Sequence, residues 1–255
     1  MSPASSEITH VSDTALMVAA CRADETELDD AFVRDPFASR FAGERGRAIL
    51  NALPYAGVMR IGLAIRTRFV DELLLDSLQT YSIATVLSVG CGLDTRPWRL
   101  KLSSRLRWIE IDFAAMLDYK DRLMSGETPS CHRERLEIDL NDPAQRRAMY
   151  EAAGRQPALM ITEGSLLYLP AATVEALAAD SFQHSGVARL IGKEPKSVRE
   201  RILPGGAREL VDEAFRHERI VRTTDRAESP GLRAMHDRVQ LGANVWDAVE
   251  GNVRS

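Results

Sequence analysis

Apolar residues between positions 85 and 192 occur in short runs separated by stretches with helical spacing. The predicted strands are Thr85–Val89, Trp108–Ile111, Leu136–Leu140, Ala158–Thr162 and Val187–Gly192. The intervening helices are predicted to begin near Thr95, Phe113, Pro143 and Pro170. Strands that alternate with helices are typical of a parallel sheet with both faces covered. The pattern therefore predicts an α/β fold with a doubly wound, mostly parallel sheet.

The first 80 residues have a different pattern, which favours helices. An aspartate-rich stretch at 24–30 precedes Phe32, Phe37 and Phe41, and apolar residues recur at helical spacing between Ile61 and Leu78. We predict an N-terminal helical lid at residues 1–80, followed by a domain built on the sheet at 81–255. Beyond Lys193 the pattern favours a helix at 206–216, a strand at 217–224 and an amphipathic helix at 231–249.

The first predicted strand continues into a glycine turn, Gly90–Pro97, with the sequence Gly-Cys-Gly-Leu-Asp-Thr-Arg-Pro. Glycine allows the backbone to turn tightly and to approach a ligand, and the start of a helix offers unpaired N–H groups. Pro97 suits the first turn of that helix, and either Asp94 or Thr95 could cap it. An ordinary strand-to-helix connection can have the same features, so the turn alone does not define a binding site.

Acidic residues stand at the carboxyl ends of three of the predicted strands. Asp112 stands where nucleotide-binding folds hold ribose hydroxyls, and capping of the next helix is the alternative. Asp139 could accept a hydrogen bond from an adenine amino group, while Asn141 or Asp142 could cap the helix at Pro143. Glu163 could bind an ammonium group. Because the carboxyl ends of parallel strands share one edge, these residues predict a ligand site at that edge.

Three enzyme classes are disfavoured by the same segments. Thr95 stands where a dinucleotide-binding turn needs a small residue against the pyrophosphate, and no Tyr-x-x-x-Lys pair supports a nicotinamide-dependent oxidoreductase. Leu167 occupies the second glycine position of a Gly-x-Ser-x-Gly hydrolase motif around Ser165. A nucleic-acid methyltransferase would carry Asn/Asp-Pro-Pro-aromatic after the fourth strand, where Glu163-Gly164-Ser165 stands instead.

Charge and composition narrow the partners further. A net charge of -4 gives no overall attraction to nucleic acid or to an anionic membrane. The first residues lack the features of a signal peptide and no apolar run is long enough to span a bilayer, so we expect a cytoplasmic protein. The three cysteines are far apart and the five histidines lack the spacing of a metal-binding pair, which gives a metal site no support.

Five segments resemble the leucine carboxyl methyltransferase family, which includes polyketide carboxyl O-methyltransferases. They are Arg34–Phe37, Arg66–Asp71, the Gly-x-Gly-Leu-Asp-Thr-Arg turn at 90–96, Glu110–Phe113 together with Lys120, and Glu163–Leu169. The resemblance covers roughly residues 30 to 195. It implies a Rossmann-like class I methyltransferase fold and S-adenosyl-L-methionine as the methyl donor.

The resemblance also implies roles for individual residues. Arg66 would bind the carboxylate of the donor's methionine part, and Arg34 would be a second basic contact. Asp112 would hold the ribose, Asp139 and Leu140 would frame the adenine, and Glu163 would face the ammonium group. The complete implied donor-binding set is Arg34, Arg66, Gly90, Cys91, Gly92, Asp94, Asp112, Phe113, Asp139, Leu140, Glu163 and Gly164. Tyr168 is the candidate catalytic side chain, with a packed aromatic as the alternative.

The expected acceptor is a carboxylate of a peptide or of a small molecule such as a polyketide-like natural product, converted to a methyl ester. The resemblance supplies most of this expectation. A carboxylate is ionised at neutral pH and needs no general base, whereas a phenol or hydroxyl normally needs one, and the sequence contains no convincing base. Arg96, Arg99 and the arginine-rich tail from Arg199 onward are basic groups that could attract such an acceptor, with plain surface charge as the alternative. A phenol or hydroxyl acceptor is the second interpretation, and a non-catalytic donor-binding protein is the third.

Overall fold

A computed structural model describes residues 10–53, 56–183 and 187–193. Within them the chain divides into two compact units, the first ending at Phe69 and the second beginning at Val70. The segments predicted at 206–216, 217–224 and 231–249 lie outside the described residues, and the division into a lid and a sheet domain at residue 80 stays a prediction. None of the described helices combines the length and the apolar character needed to cross a membrane.

The first unit is helical, as predicted for this part of the chain. It contains α1 (His10–Thr26), α2 (Ala38–Ala52) and the beginning of α3 (Ala56–Thr80). The α1 and α2 helices pack closely where Gly46 meets Leu16, since a Cβ on Gly46 would overlap the Leu16 carbonyl. Small side chains on α1, including those of Ala19, Ala20 and Ala23, are buried.

The second unit contains a parallel sheet of five strands. These are β1 (Thr85–Val89), β2 (Arg107–Asp112), β3 (His132–Glu137), β4 (Ala158–Glu163) and β5 (Val187–Lys193). Their spatial order is β3-β2-β1-β4-β5, and every pair of neighbours is parallel. The strand order reverses between β1 and β4, which is where doubly wound sheets bind their ligands. The predicted fold class is therefore confirmed.

Helices follow the strands at nearly the predicted positions. They are α4 (Arg96–Arg99), α5 (Ala114–Leu123), α6 (Pro143–Ala153) and α7 (Ala171–Gln183), with a short 3-10 helix at Leu166–Tyr168. Asp142 caps α6, because its carboxylate accepts hydrogen bonds from the backbone N–H groups of Ala144 and Gln145. Of the two predicted capping residues, Asn141 and Asp142, it is Asp142 that caps the helix.

Both faces of the sheet are covered by apolar side chains. In β1, Leu87 and Val89 belong to the cluster packed against α6 and α7, while Val86 belongs to the cluster on the opposite face. The same alternation occurs in β2, where Ile109 and Trp108 lie in different clusters. Burial on both faces explains why the central strands have apolar residues pointing to both sides of the sheet.

The third strand begins four residues earlier than predicted. The prediction of Leu136–Leu140 is wrong, because β3 is His132–Glu137. Ile138 and Leu140 are buried in the core, as their apolar character indicated, but they lie in the connection that follows the strand. The burial of Ile138 and Leu140 was predicted correctly, but their strand conformation was not.

The reason for the difference is that β3 stands at the edge of the described sheet and is made largely of charged residues. Arg133 donates to Glu110 on β2 at 2.8 Å, and Arg135 donates to Asp121 on α5 at 2.8 Å. Ion pairs therefore take the place of an apolar face. An apolar periodicity cannot reveal a strand of this kind.

Candidate active site at the carboxyl edge of the sheet

The glycine turn begins where β1 ends. Gly90 and Gly92 both have positive φ angles, of 62° and 45°, which are conformations that favour glycine. The N–H groups of Gly90 and Cys91 donate to the carbonyl of Ile111 at 2.8 and 3.1 Å. The turn is therefore fixed to the end of β2.

On its other side the turn packs against the loop that follows β4. A Cβ atom on Gly90 would overlap the Cβ of Ser165 and would stand 2.9 Å from its Oγ. The Ser165 hydroxyl donates to the carbonyl of Val89 at 3.0 Å. Ser165 thus joins the two loops, which gives it a structural role in place of the nucleophilic one already disfavoured by the sequence.

Asp112 ends β2 and faces this turn. One carboxylate oxygen accepts a hydrogen bond from the N–H of Gly92 at 2.8 Å, and the other accepts from the N–H of Phe113 at 2.8 Å. Burial raises the pKa of Asp112, and these two N–H groups oppose that rise. The alternative role as a helix cap is wrong: Phe113 is the residue that precedes α5, and no side chain caps it.

The register of the sheet places Asp112 and Glu163 at the same height along their strands. Val89 of β1 is paired with Ile111 of β2 and with Thr162 of β4. Asp112 and Glu163 are the next residues along those two strands, so they flank Gly90 from both sides. The sequence placed these residues correctly from the strand ends alone.

Asp139 does not end a strand, because β3 stops at Glu137. Its carboxylate accepts hydrogen bonds from the backbone and side-chain nitrogens of Asn141, at 2.9 and 3.0 Å. The side chain of Leu140 is buried in the core. The predicted contact of these two residues with adenine stays a prediction.

Arg96, the first residue of α4, is buried at 2% exposure and contacts three carboxylates. Its Nη1 lies 2.8 Å from Glu163 and 3.0 Å from Asp94, and its Nε lies 2.7 Å from Asp71 on α3. Arg99 pairs with both oxygens of Asp71, at 2.6 and 2.7 Å. The expectation that Arg96 and Arg99 attract the acceptor is therefore wrong, because both guanidinium groups are buried and paired.

This pairing also determines the charge state of Asp94. Burial alone would raise the pKa of Asp94, but the cationic groups of Arg96, Lys120 and Arg99 lower it to about 2. Asp94 also accepts a hydrogen bond from the N–H of Arg96 at 3.0 Å, whereas the side chain of Thr95 makes no cap. Asp94 is thus the residue that satisfies the start of α4, and it is ionised at neutral pH.

A second buried ion pair lies behind the turn. Lys120 of α5 and Glu110 of β2 are both fully buried, and their charged atoms are 2.6 Å apart. Arg133 also donates to Glu110, at 2.8 Å. Burial lowers the pKa of Lys120, but Glu110 and the other acidic groups around it, among them Asp94, together raise the pKa by more, so the ammonium group stays protonated. The indole of Trp98 on α4 lies 5.7 Å from Lys120 and 5.0 Å from Arg133, measured to the ring centroid.

Large apolar side chains are exposed at the same edge of the sheet. Phe113, directly after β2, is 57% exposed, and Leu167 and Tyr168, after β4, are 55% and 46% exposed. Exposed aromatic residues of this size are commonly ligand contacts. The predicted roles of Phe113 and Tyr168 are compatible with these positions but stay predictions.

The sequence profile of the leucine carboxyl methyltransferase family matches residues 15–181. The chain belongs to this family. A curated relative from Mycobacteroides abscessus, named "Putative S-adenosyl-L-methionine-dependent methyltransferase", is 31% identical over 96% of this chain and 84% of its own length.

Other curated relatives match this chain over only part of their own length. A Streptomyces avermitilis protein with the same kind of name is 33% identical over 65% of this chain and 62% of its own length. For several of the curated relatives, the match thus spans less than two thirds of their length. A solved structure of a Thermobifida fusca protein named "putative methyltransferase" matches 77% of this chain and 73% of that chain at 18% identity, with a TM-score of 0.42, too low to define a shared fold.

Two residues of the family pattern lie in the first unit. The exposed Arg34 donates to the backbone carbonyls of Thr26, Leu28 and Asp29, at 3.1, 3.3 and 3.1 Å, and thereby holds the end of α1. Arg66 is half-buried on α3. Their binding to the donor carboxylate stays a prediction for this leucine carboxyl methyltransferase family member.

Sequence reasoning missed the role of Arg96, although one signal was available. A cation in the first turn of a helix is disfavoured by the partial positive charge there. Arg96 directly follows Asp94-Thr95 in that position, which indicates a carboxylate partner. The sequence could not show which carboxylates these are, since Asp71 and Glu163 come from distant segments.

Proposed function

We propose that this methyltransferase, with S-adenosyl-L-methionine as its methyl donor, converts a carboxylate of a small molecule or peptide into a methyl ester. Membership in the leucine carboxyl methyltransferase family supports the transfer reaction and the donor. The observation that carries the proposal is the arrangement of Asp112 and Glu163 on either side of the glycine turn, where the strand order reverses.

The charges at this edge suit the proposed donor better than a dinucleotide. Asp94 is ionised, and Glu163 pairs with Arg96, so carboxylates surround the start of α4. A pyrophosphate would be repelled there, whereas a cationic ligand with hydroxyl groups would be attracted. Asp112 would accept hydrogen bonds from ribose hydroxyls, and Glu163 would bind the ammonium group.

For methyl transfer, the protein mainly has to align the acceptor with the methyl group and exclude water. The sulfonium group supplies a methyl carbon that is already activated, so a nucleophile has to be held in line with it. An ionised carboxylate needs no proton removed. Lys120 is buried and protonated, which excludes it as a base at neutral pH. A carboxylate acceptor is therefore the simplest match to these residues.

Asp112→Ala is expected to weaken binding of S-adenosylhomocysteine, the demethylated product, by about 1.5–3 kcal/mol, or roughly 10- to 150-fold. The change removes a charged acceptor and the partner of the Gly92 N–H. Isothermal titration measures the effect. Asp118→Ala is the matched control, because Asp118 is an exposed carboxylate on α5 that pairs with Arg135. Equal affinity of wild type and Asp112→Ala would contradict the ribose assignment.

The product of the reaction distinguishes the possible acceptors. A methyl ester releases methanol in mild alkali, whereas a methyl ether is stable. We expect an alkali-labile product from carboxylate-containing acceptors, and a rate that stays level with pH above the acceptor's own pKa. An alkali-stable product, with a rate that rises toward alkaline pH, would favour a phenol or hydroxyl. Donor binding without turnover on any acceptor would favour a non-catalytic role.

A further inference from the structure

Arg96 connects three segments that meet at the donor site. Its guanidinium group touches Asp94 in the glycine turn, Glu163 at the end of β4 and Asp71 on α3. One nitrogen, Nη1, donates to Asp94 and also forms an ion pair with Glu163 at 2.8 Å. These two carboxylates would repel each other without a cation between them.

Stability does not account for this arrangement by itself. Taking charged groups out of water costs free energy that their mutual attraction often only balances, so a buried ion cluster is a weak source of stability. The guanidinium groups of Arg96 and Arg99 face the carboxylates of Asp71, Asp94 and Glu163, so the acids of three segments share these two cations.

We propose that Arg96 is a positioning residue for donor binding: its Nη1 holds Glu163 and Asp94 in the orientation that receives the cationic methionine part of the donor. The proposal rests on the proposed function. The carboxylates of Glu163 and Asp94 attract the cationic ligand, and Arg96 limits the directions in which these two carboxylates can turn.

Arg99 provides a matched control within the same helix. It is also a nearly buried guanidinium, with its side chain 4% exposed, and its ion pairs in the described part of the chain are both with Asp71. Arg96→Met and Arg99→Met therefore remove the same charge from the same cluster. Attraction by charge alone would make both variants bind the ligand's ammonium group more tightly, whereas loss of positioning weakens binding only in Arg96→Met.

The test is isothermal titration of each full-length variant with S-adenosylhomocysteine, after thermal unfolding has confirmed that the variant is folded. We expect Arg96→Met to bind at least about tenfold more weakly than wild type, and Arg96→Lys to recover part of the loss. Arg99→Met should unfold at a lower temperature but bind as tightly as wild type or more tightly.

A double-mutant cycle with Glu163→Gln decides whether Arg96 acts through Glu163. We expect the effect of an Arg96 substitution to be much smaller in the Glu163→Gln background. Fully additive effects, or an equal loss of affinity in Arg96→Met and Arg99→Met, would overturn the proposal. If Arg96→Met does not fold, Arg96→Lys completes the same cycle. Failure of the wild type to bind the ligand would instead contradict the proposed function.

Discussion

Glu110→Gln is expected to lower the free energy of unfolding by about 3–5 kcal/mol, since it removes the counterion of a fully buried cation. The charged atoms of Lys120 and Glu110 are 2.6 Å apart and neither side chain is exposed. The amide has nearly the volume of the carboxylate, so the loss measures charge rather than packing. Urea unfolding of the wild type and the variant gives the difference.

The pH dependence of the stability lost in Glu110→Gln identifies unpaired Lys120 as the cause of the loss. In the wild type Glu110 keeps the folded-state pKa of Lys120 raised, so the pair stabilises the fold at neutral pH and this contribution is lost as pH rises through that pKa. In Glu110→Gln, burial places the folded-state pKa below the unfolded value of about 10.4. The unfolded chain then binds more protons between the two values, so stability of the variant rises with pH there.

Two further variants serve as controls for this prediction. Glu110→Gln combined with Lys120→Met removes both charges and should recover most of the stability. Glu134→Gln breaks a partly exposed ion pair between β2 and β3, in which Arg107 and Glu134 are 2.8 Å apart. Its expected cost is only about 0–1 kcal/mol. A similar loss in Glu134→Gln and Glu110→Gln would show that burial is not the cause.

Gly90→Ala is expected to destabilise the protein and to impair donor binding together. The left-handed conformation costs a residue with a Cβ about 1–2 kcal/mol, and overpacking in a close-packed region costs about 1–3 kcal/mol more. Gly90 has a φ of 62°, and its added Cβ would overlap that of Ser165. The turn must then move away from the loop after β4, which separates Asp112 from Glu163. Thermal unfolding and titration with S-adenosylhomocysteine measure the two effects.

Gly126→Ala separates the cost of the left-handed backbone from the cost of the overlap with Ser165. Gly126 has a φ of 88°, and a Cβ there would meet nothing within 4 Å. This control should therefore show the backbone cost and unchanged ligand affinity. Adding Ser165→Gly to Gly90→Ala should relieve the overlap and restore part of the stability and affinity. No recovery in this double variant would contradict the packing explanation.

The central strands could be predicted because their residues are buried on both faces. β1 was predicted with its correct bounds, and β2 and β4 within one residue at each end. The charged β3 was missed in part, because Arg133 and Arg135 are accommodated by acids on β2 and α5. Side-chain partners of that kind do not appear in an apolar pattern.

At the candidate donor site, too, the sequence did not reveal which side chains pair with each other. Asp112 and Glu163 could be placed at one edge because each ends a predicted strand in a parallel sheet. The connections of Arg96 could not be predicted, since its partner Asp71 is 25 residues away along the chain. Sequence reasoning thus placed Asp112 and Glu163 at one edge of the sheet, but it did not reveal the buried ions that contact Glu163.

The contact between the glycine turn and the loop after β4 has a consequence for biosynthesis. The hydrogen bond from Ser165 to Val89 joins residues that are 76 positions apart in the chain. A growing chain therefore has the turn long before it has the second half of the site, and such non-local contacts form late in folding. A ligand that binds only the folded chain stabilises it by mass action. Methyl donor bound at this edge would therefore stabilise the completed fold and not a chain that ends before the loop after β4.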